Sequence, residues 1–427
     1  MFSIGRLRQW NVPHAETSSL QEKVSLWLVG IVALVYELKW LVASYKQPLD
    51  PDAQNYYLMA DQMQSLYDTN VREPLIIWTS KLGMWLFGAD HFSLRLVGAF
   101  FFVLTAIGFY RFVRDVTGES FVALAAALLF ATNSFLRELA VRGVRDTPTL
   151  SFLIMLSYFT LVRAPWLTDG RRIAGLSVSW ALLSLTRLSF LAPGLLLIGY
   201  AFWKHRLRKQ LFALPLAAIV LAIVPHLLNN QRVFHDPFYS LNIHAVWWRN
   251  YEFVIKKKVG CEGCPTEEEF NKSSYSGSPV STFRYVFLMR PLSETIGRAL
   301  EGYKDMLFTD GDFFRGMLGS KTSLWFWLFL VGLVSLFATK ARDTLLVPLI
   351  AMNIFPFTYA LDMDIRLFSP FVPFMILCVG AAGMIPLAIA RKGIERLGLA
   401  TNGSGGEDSL PQPALEEPIR RRSGTQR

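Results

Sequence analysis

Runs of mainly apolar residues recur along this chain, separated by short polar connectors. Val24–Ala43, Leu94–Val113, Phe121–Leu136, Thr149–Val162, Leu191–Trp203, Leu211–Leu228, Leu324–Ala338, Leu345–Leu361 and Phe371–Ala390 are the clear cases. A helix needs about 20 such residues to cross roughly 30 Å of hydrocarbon. Ile173–Leu185 is shorter, but a span there lets the connectors alternate between sides. The pattern predicts an all-α fold, a polytopic membrane helix bundle of about ten spans with helical external loops. Val24–Ala43 is long, is interrupted by Glu37 and Lys39, and has no small-residue cleavage site after it, so it reads as a first span rather than a removed leader.

Between the spans the pattern changes twice. Leu75–Gly88 is apolar but only about 14 residues long, which suits an interfacial or re-entrant helix. Ile296, Leu300, Tyr303 and Leu307 recur at helical spacing in an otherwise polar stretch, as in an amphipathic helix lying on the membrane. These readings divide the chain into an N-terminal segment 1–23, a membrane domain 24–400 with long insertions at 45–92 and 229–322, and a tail 401–427. The tail has almost no apolar content and is expected to be disordered.

Composition agrees: 52% of residues are hydrophobic and 18% charged, against about 25% charged in soluble chains. The net charge of +10 would suit a nucleic-acid binder, but its distribution points elsewhere. Basic residues gather in alternate short connectors, at Arg111 and Arg114, at Arg163, Arg171 and Arg172, from Lys204 through Lys209, at Lys340 and Arg342, and at Arg391, Lys392 and Arg396. That is the positive-inside pattern. It places both termini in the cytoplasm and segments 45–92, 137–146, 186–190, 229–322 and 362–366 outside, and it excludes nucleic acid as partner. The first external segment is acidic, with Asp50, Asp52, Asp61, Asp68, Glu73 and Asp90 outweighing Lys46, Arg72 and Lys81.

Candidate chemistry sits in those external segments. Asp50 before Pro51 reads as an N-cap followed by proline at the first helical position, with Asp52, Tyr56 and Ala60 on one face of the helix that follows. An aspartate there can serve as a general base held by a rigid helix, or simply favour the helix dipole. Asp146, before Thr147-Pro148, opens another span, as a second functional carboxylate or as an ion-pair partner of Arg142 or Arg145. Arg137, Arg142, Arg145, Arg187 and Arg366, near Asp362 and Asp364, lie at outer span ends, against the usual bias. Their company with acids suits an anionic ligand such as a phosphate.

Cys261-Glu262-Gly263-Cys264 is open between a local disulfide, a redox pair and half of a zinc site with His235 or His244. The aromatic Tyr239–Tyr251 segment suits an interfacial anchor, Cys378 and His91 read as packing residues, and Asn271-Lys272-Ser273 is a glycosylation sequon that matters only in a eukaryote.

Taken together, Asp52-x-x-x-Tyr56-x-x-x-Ala60, Arg72-Glu73-Pro74-Leu75, Phe87-Gly88 with Ser93-Leu94-Arg95-Leu96, Arg145-Asp146-Thr147-Pro148, Thr186-Arg187 and Arg366 through Pro373 resemble the GT-C superfamily of membrane glycosyltransferases. The likeness is to its protein-mannosyltransferase and aminoarabinose-transferase-like branch, and it is densest over residues 45–200. It implies inverting transfer of a hexosyl or pentosyl group from a polyprenyl-phosphate sugar donor to a glycan, lipid or protein acceptor at the outer face of the membrane. Asp52 and Asp146 would be catalytic, and Tyr56, Arg72, Arg142, Arg145, Arg187 and Arg366 would bind substrate. Many relatives carry two adjacent acids at the first site, whereas Asp52 is followed here by Ala53. A divalent cation therefore stays open as cofactor, and no metal ligands are assigned. The rival reading is a transporter or flippase for a lipid-linked substrate, against which stand the clustering of acids outside the spans and the lack of an internal repeat. A membrane scaffold without activity is the third. A bacterial inner membrane is the expected location.

Overall fold

The computed structural model describes residues 19–69, 72–88, 90–238, 323–352 and 365–384, with a few single positions between 288 and 300 and residues 386–387. Cys261, Cys264, the Tyr239–Tyr251 segment, Asn271, Asp362, Asp364 and the tail 401–427 lie outside the described residues. Of the expected stripe, Ile296 and Leu300 are described, both helical and exposed. The chain divides into two units, Met1–Met384 and Ile385–Arg427, and the first carries the helical bundle.

Regular structure among the described residues is entirely helical, as the apolar pattern predicts. In order these are α1 (Ser19–Ser44), α2 (Pro51–Gln62), α3 (Pro74–Phe87), α4 (His91–Thr117), α5 (Ser120–Thr132), α6 (Ser134–Val141), α7 (Asp146–Leu161), α8 (Asp169–Thr186), α9 (Leu191–His205), α10 (Ala213–Phe234), α11 (Ser323–Phe337), α12 (Leu346–Met352) and α13 (Val372–Ala381). Three stretches are long and apolar enough to cross a membrane alone, Leu20–Ser44, His91–Thr117 and Lys209–Phe234. The pair α5 and α6, bent by 51°, makes a fourth if counted as one span. Among the described residues the other predicted spans form shorter helices or, in α8, carry Asp169, Arg171 and Arg172 in the first turn, so ten spans are not established. The bend follows from Asn133, whose side chain accepts from the Leu136 N–H at 2.9 Å and so caps a new helix where the old one stops.

The outer surface is apolar. Trp27, Val42, Trp203 and Leu221 are 71%, 77%, 75% and 75% exposed, and a soluble monomer rarely leaves contiguous apolar surface of this kind to water. Helix α4 runs through the centre, packed on α1, α5, α6, α7 and α3. Gly98 lets it approach α6 closely: a Cβ there would fall 2.1 Å from the Ala140 carbonyl oxygen. At the turn from α6 into α7, Gly143 holds φ at 72°, a conformation open to glycine at little cost.

Polar groups collect at the two ends of the bundle. At one end Arg114 pairs with Glu22 and, at 2.7 Å, with Asp115, which also accepts from the Tyr158 hydroxyl at 2.7 Å. Lys204 pairs with Asp343 at 3.1 Å, and Arg163 donates to the Lys204 carbonyl at 3.1 Å. These groups come from the connectors that the charge pattern assigned to one side. At the other end the buried Arg95 guanidinium donates to the Gln47 and Pro48 carbonyls, both at 2.9 Å, and to Val141 at 3.0 Å. One side chain thus ties the chain leaving α1 and the end of α6 to the start of α4. Helix α3, predicted from its short apolar run, packs on α2, α4 and α8 and leaves Leu82, Trp85, Leu86 and Phe87 exposed.

Candidate active site

The chain pinned by Arg95 turns directly into α2. Asp50 accepts from the Asp52 N–H at 3.0 Å, and Pro51 occupies the first helical position, so the predicted cap is present. The buried face of α2 is Ala53, Tyr56 and Ala60. Asp52, expected to share it, lies at its edge, and that offset leaves the carboxylate accessible. Arg72 Nη2 donates to Asp52 Oδ1 at 3.1 Å, and Arg366 Nη2 approaches Oδ2 at 3.4 Å. Arg366 also reaches Asp50 at 3.7 Å, as does Arg142 from the end of α6, and Arg142 pairs with Glu138 one turn back. The Arg72 guanidinium lies 5.7 Å from the centre of the Tyr56 ring, within cation–π range.

Beneath this half-open tier lies a buried one. Arg187, extended at the end of α8, donates to Asp146 Oδ1 at 2.6 Å, and the Ser369 hydroxyl donates to the same oxygen at 3.2 Å. Glu73, immediately before Pro74, pairs with Arg145. The Asp146 side chain is 4% exposed, against 33% for Asp52. Burial works against the Arg145 charge, but Glu73, with Tyr56, Asp146 and Asp52 behind it, more than offsets this and raises its pKa. Burial also pushes the Tyr56 phenol up, opposed by Arg145 and Arg72, so the phenol stays neutral and able to donate.

All the predicted site residues therefore converge. Asp52, Tyr56, Arg72, Arg142, Arg145, Asp146, Arg187 and Arg366 come from segments spread over more than three hundred positions, every one assigned to the same side by charge. Arg137 stands apart, with its guanidinium over Tyr36 and Trp40 at 5.1 and 5.4 Å. The expected partner of Asp146 was Arg142 or Arg145; the partner is Arg187, while those two arginines serve Asp50, Glu138 and Glu73. Sequence reasoning gave no site role to Glu73, Arg95 or Ser369, although each lies inside a motif that carries the resemblance, and it did not single out Glu138. Glu73 had a further signal, a carboxylate between a basic residue and a helix-starting proline.

Two donors are left over: Nε of Arg72 and Nε of Arg187 are buried with no hydrogen-bond partner among the described residues. Buried donors are normally satisfied, and guanidinium groups at such a site suit the oxygens of a phosphate. Among the described residues no three His, Cys, Asp or Glu side chains group to hold a metal, and Asp50 and Asp52 are both engaged by arginine.

Residues 71–228 match the family model of the dolichyl-phosphate-mannose-protein mannosyltransferases. The matched stretch takes in Glu73, Arg145, Asp146 and Arg187 and leaves out Asp52 and Arg366. A protein of Erwinia tasmaniensis named undecaprenyl phosphate-alpha-4-amino-4-deoxy-L-arabinose arabinosyl transferase is 24% identical over 157 residues, 34% of this chain and 28% of that protein. One of the same name from Pseudomonas fluorescens is 29% identical over 144 residues, 31% of this chain and 25% of the relative. The chain thus spans well under half the length of these relatives. Among solved structures, ArnT from Cupriavidus metallidurans bound to undecaprenyl phosphate superposes with a TM-score of 0.51 at 15% identity, over 86% of this chain and 60% of that one. The archaeal oligosaccharyltransferase AglB from Archaeoglobus fulgidus, in complex with an inhibitory peptide and a dolichol-phosphate, gives 0.50 at 13%, over 88% and 52%. At these identities the structural likeness speaks to the fold.

Proposed function

We propose that this chain is a membrane glycosyltransferase of the GT-C kind, and that the Asp52 cluster transfers a sugar from a polyprenyl-phosphate donor to an acceptor hydroxyl; the family-model match, the named relatives and the shared fold support this reading. The observation that carries this is Asp52 itself, a one-third exposed carboxylate beside Arg72 and Arg366, with a spare buried donor on Arg72. Asp52 takes the proton as the acceptor oxygen attacks the anomeric carbon. The new glycosidic bond forms as the bond from that carbon to the phosphate oxygen breaks, and its electron pair leaves on the polyprenyl phosphate. A single displacement of this kind inverts the anomeric centre. The departing phosphate gains charge in the transition state, where preorganised cations act most strongly, and Arg72, Arg366 and Arg142 supply them.

Asp146 has another task. Buried and already spent on Arg187 and Ser369, it is a positioning residue that fixes Arg187 and, through Ser369, the segment carrying Arg366. The relatives named for undecaprenyl phosphate support a polyprenyl carrier here, with a hexose or pentose as cargo and a glycan, lipid or protein as acceptor. The reaction is assigned to the outer face of a bacterial inner membrane.

The test is sugar release from a panel of radiolabelled polyprenyl-phosphate sugars, using membranes with wild type or Asp52→Asn at matched protein levels. Consumption of one donor by wild type alone supports the reading and identifies the sugar. Equal consumption by both overturns the assignment of the base. Consumption of no donor by wild type, with glycan, lipid and protein acceptors supplied, overturns sugar transfer and favours movement of a lipid-linked substrate.

A further inference from the structure

At the end of the bundle away from the Asp52 cluster, the turn between α9 and α10 forms an open pocket of about 630 Å³. Phe202, Trp203, Leu207 and Phe212 line it, with Arg206 and Lys209. The aromatic wall is built: Phe202 and Phe212 meet edge to face at 5.0 Å. The cations are not committed elsewhere in the way their neighbours are. Lys204 is paired with Asp343, and His205 bonds Thr160 and Arg172. Arg206, Arg208 and Lys209 are exposed and make no ion pair among the described residues. No acidic residue lines the cavity.

Basic residues in such a turn have an ordinary explanation in membrane topology, which asks for charge and nothing more. Two features go further. The pocket is walled in part by Trp203, which is 75% exposed, and both helices carry further exposed apolar residues, including Leu196, Leu214 and Leu221, so a cationic rim lies on a part of the bundle whose outer surface is apolar. Arg206 also holds φ at 53° as the residue closing α9, where glycine would sit without strain. A topological charge could be placed at any neighbouring position; here one stands where the backbone is strained and its direction is fixed by the turn.

We propose that this cavity binds an anionic phospholipid of the surrounding leaflet. The phosphate lies between Arg206 and Lys209, Arg208 adds to the local field, and one acyl chain runs over Trp203. Each basic residue near a membrane surface contributes to attraction for anionic lipid. The inference is independent of sugar transfer, and its test does not read activity.

Full-length protein in mild detergent is given phosphatidylglycerol or phosphatidylcholine, and retained lipid is counted by native mass spectrometry alongside the melting temperature. Wild type should retain phosphatidylglycerol preferentially. Arg206→Gly and Lys209→Gln should each weaken that preference about fivefold and the double variant about 25-fold. Arg206→Gly should melt in phosphatidylcholine no lower than wild type, because it relieves the backbone, so its loss of lipid cannot be ascribed to misfolding. Arg171→Gln removes an exposed charge at the same end, where Arg171 bonds the Trp166 carbonyl, and should change nothing. The proposal is overturned by unchanged retention in the double variant, by an equal loss in Arg171→Gln, or by soluble glycerol phosphate competing as well as the intact lipid.

Discussion

Asp52 and Asp146 bring the same carboxylate into different surroundings, so their substitution should fail in different ways. Ion pairs at partly exposed sites are worth about 0–1 kcal/mol, and Asp52, one-third exposed, falls in that class. Asp52→Asn should therefore melt within a few degrees of wild type while donor turnover falls about a hundred- to ten-thousand-fold, the range a general base supplies. Asp146 and Arg187 are 4% and 7% exposed. Removing one member of such a pair strands a buried charge at a cost of about 3–5 kcal/mol. Asp146→Ala and Arg187→Ala should each show that loss in unfolding, and the double variant should be less damaged than the sum, because neither charge is left alone. An additive result would mean that the two side chains do not depend on each other. The residue types at this site were legible in the sequence, since carboxylates and arginines stand out in external turns. The pairing was not: Asp146 has Arg142 and Arg145 within four positions, and only the packing of α7 on α8 brings Arg187, 41 positions away, to it.

Helices that carry the cluster owe their setting to a few contacts between elements. Arg95 is the clearest, since it joins α4 to the chain before α2 and to the last turn of α6. Arg95→Met keeps much of the apolar stem and removes the three bonds. Segment 45–52 should then exchange amide hydrogens faster, and activity should fall although Arg95 touches no substrate; unchanged exchange there would show that the segment is held by other means. Gly98 works by absence, and Gly98→Ala should cost about 1–3 kcal/mol by driving α6 from α4. Arg142 and Arg145 follow α6, and displacement of catalytic groups by about 1 Å can cost a hundredfold in rate. Element type and rough extent were readable because apolar spacing reports them directly. The bend at Asn133 and the contact at Gly98 were not, since each depends on what a neighbouring helix presents, information that periodicity along one stretch of chain does not contain.

Across the whole molecule, the two polar ends differ in kind. One gathers connectors rich in basic residues, where Arg114 and Lys204 pair with Glu22, Asp115 and Asp343 and Arg342 also approaches Asp343. The other balances Asp50, Asp52, Glu73, Glu138 and Asp146 against Arg72, Arg142, Arg145, Arg187 and Arg366. The orientation bias counts Lys and Arg in short connectors and takes little account of neighbouring acids. The arginines on the side predicted to be external go against that bias; folded, they form a near-neutral cluster with the acids around them. The orientation that the charge pattern predicts has Ser65, in the loop after α2, outside and Gln210, between α9 and α10, inside. Single cysteines at these positions, in a chain with Cys261, Cys264 and Cys378 replaced, would report it through a membrane-impermeant maleimide. Ser65→Cys should react in intact cells and Gln210→Cys only after permeabilisation. The reverse pattern would put the Asp52 cluster on the cytoplasmic side, so that donor and acceptor would have to be sought there and the basic turn could not face the inner leaflet.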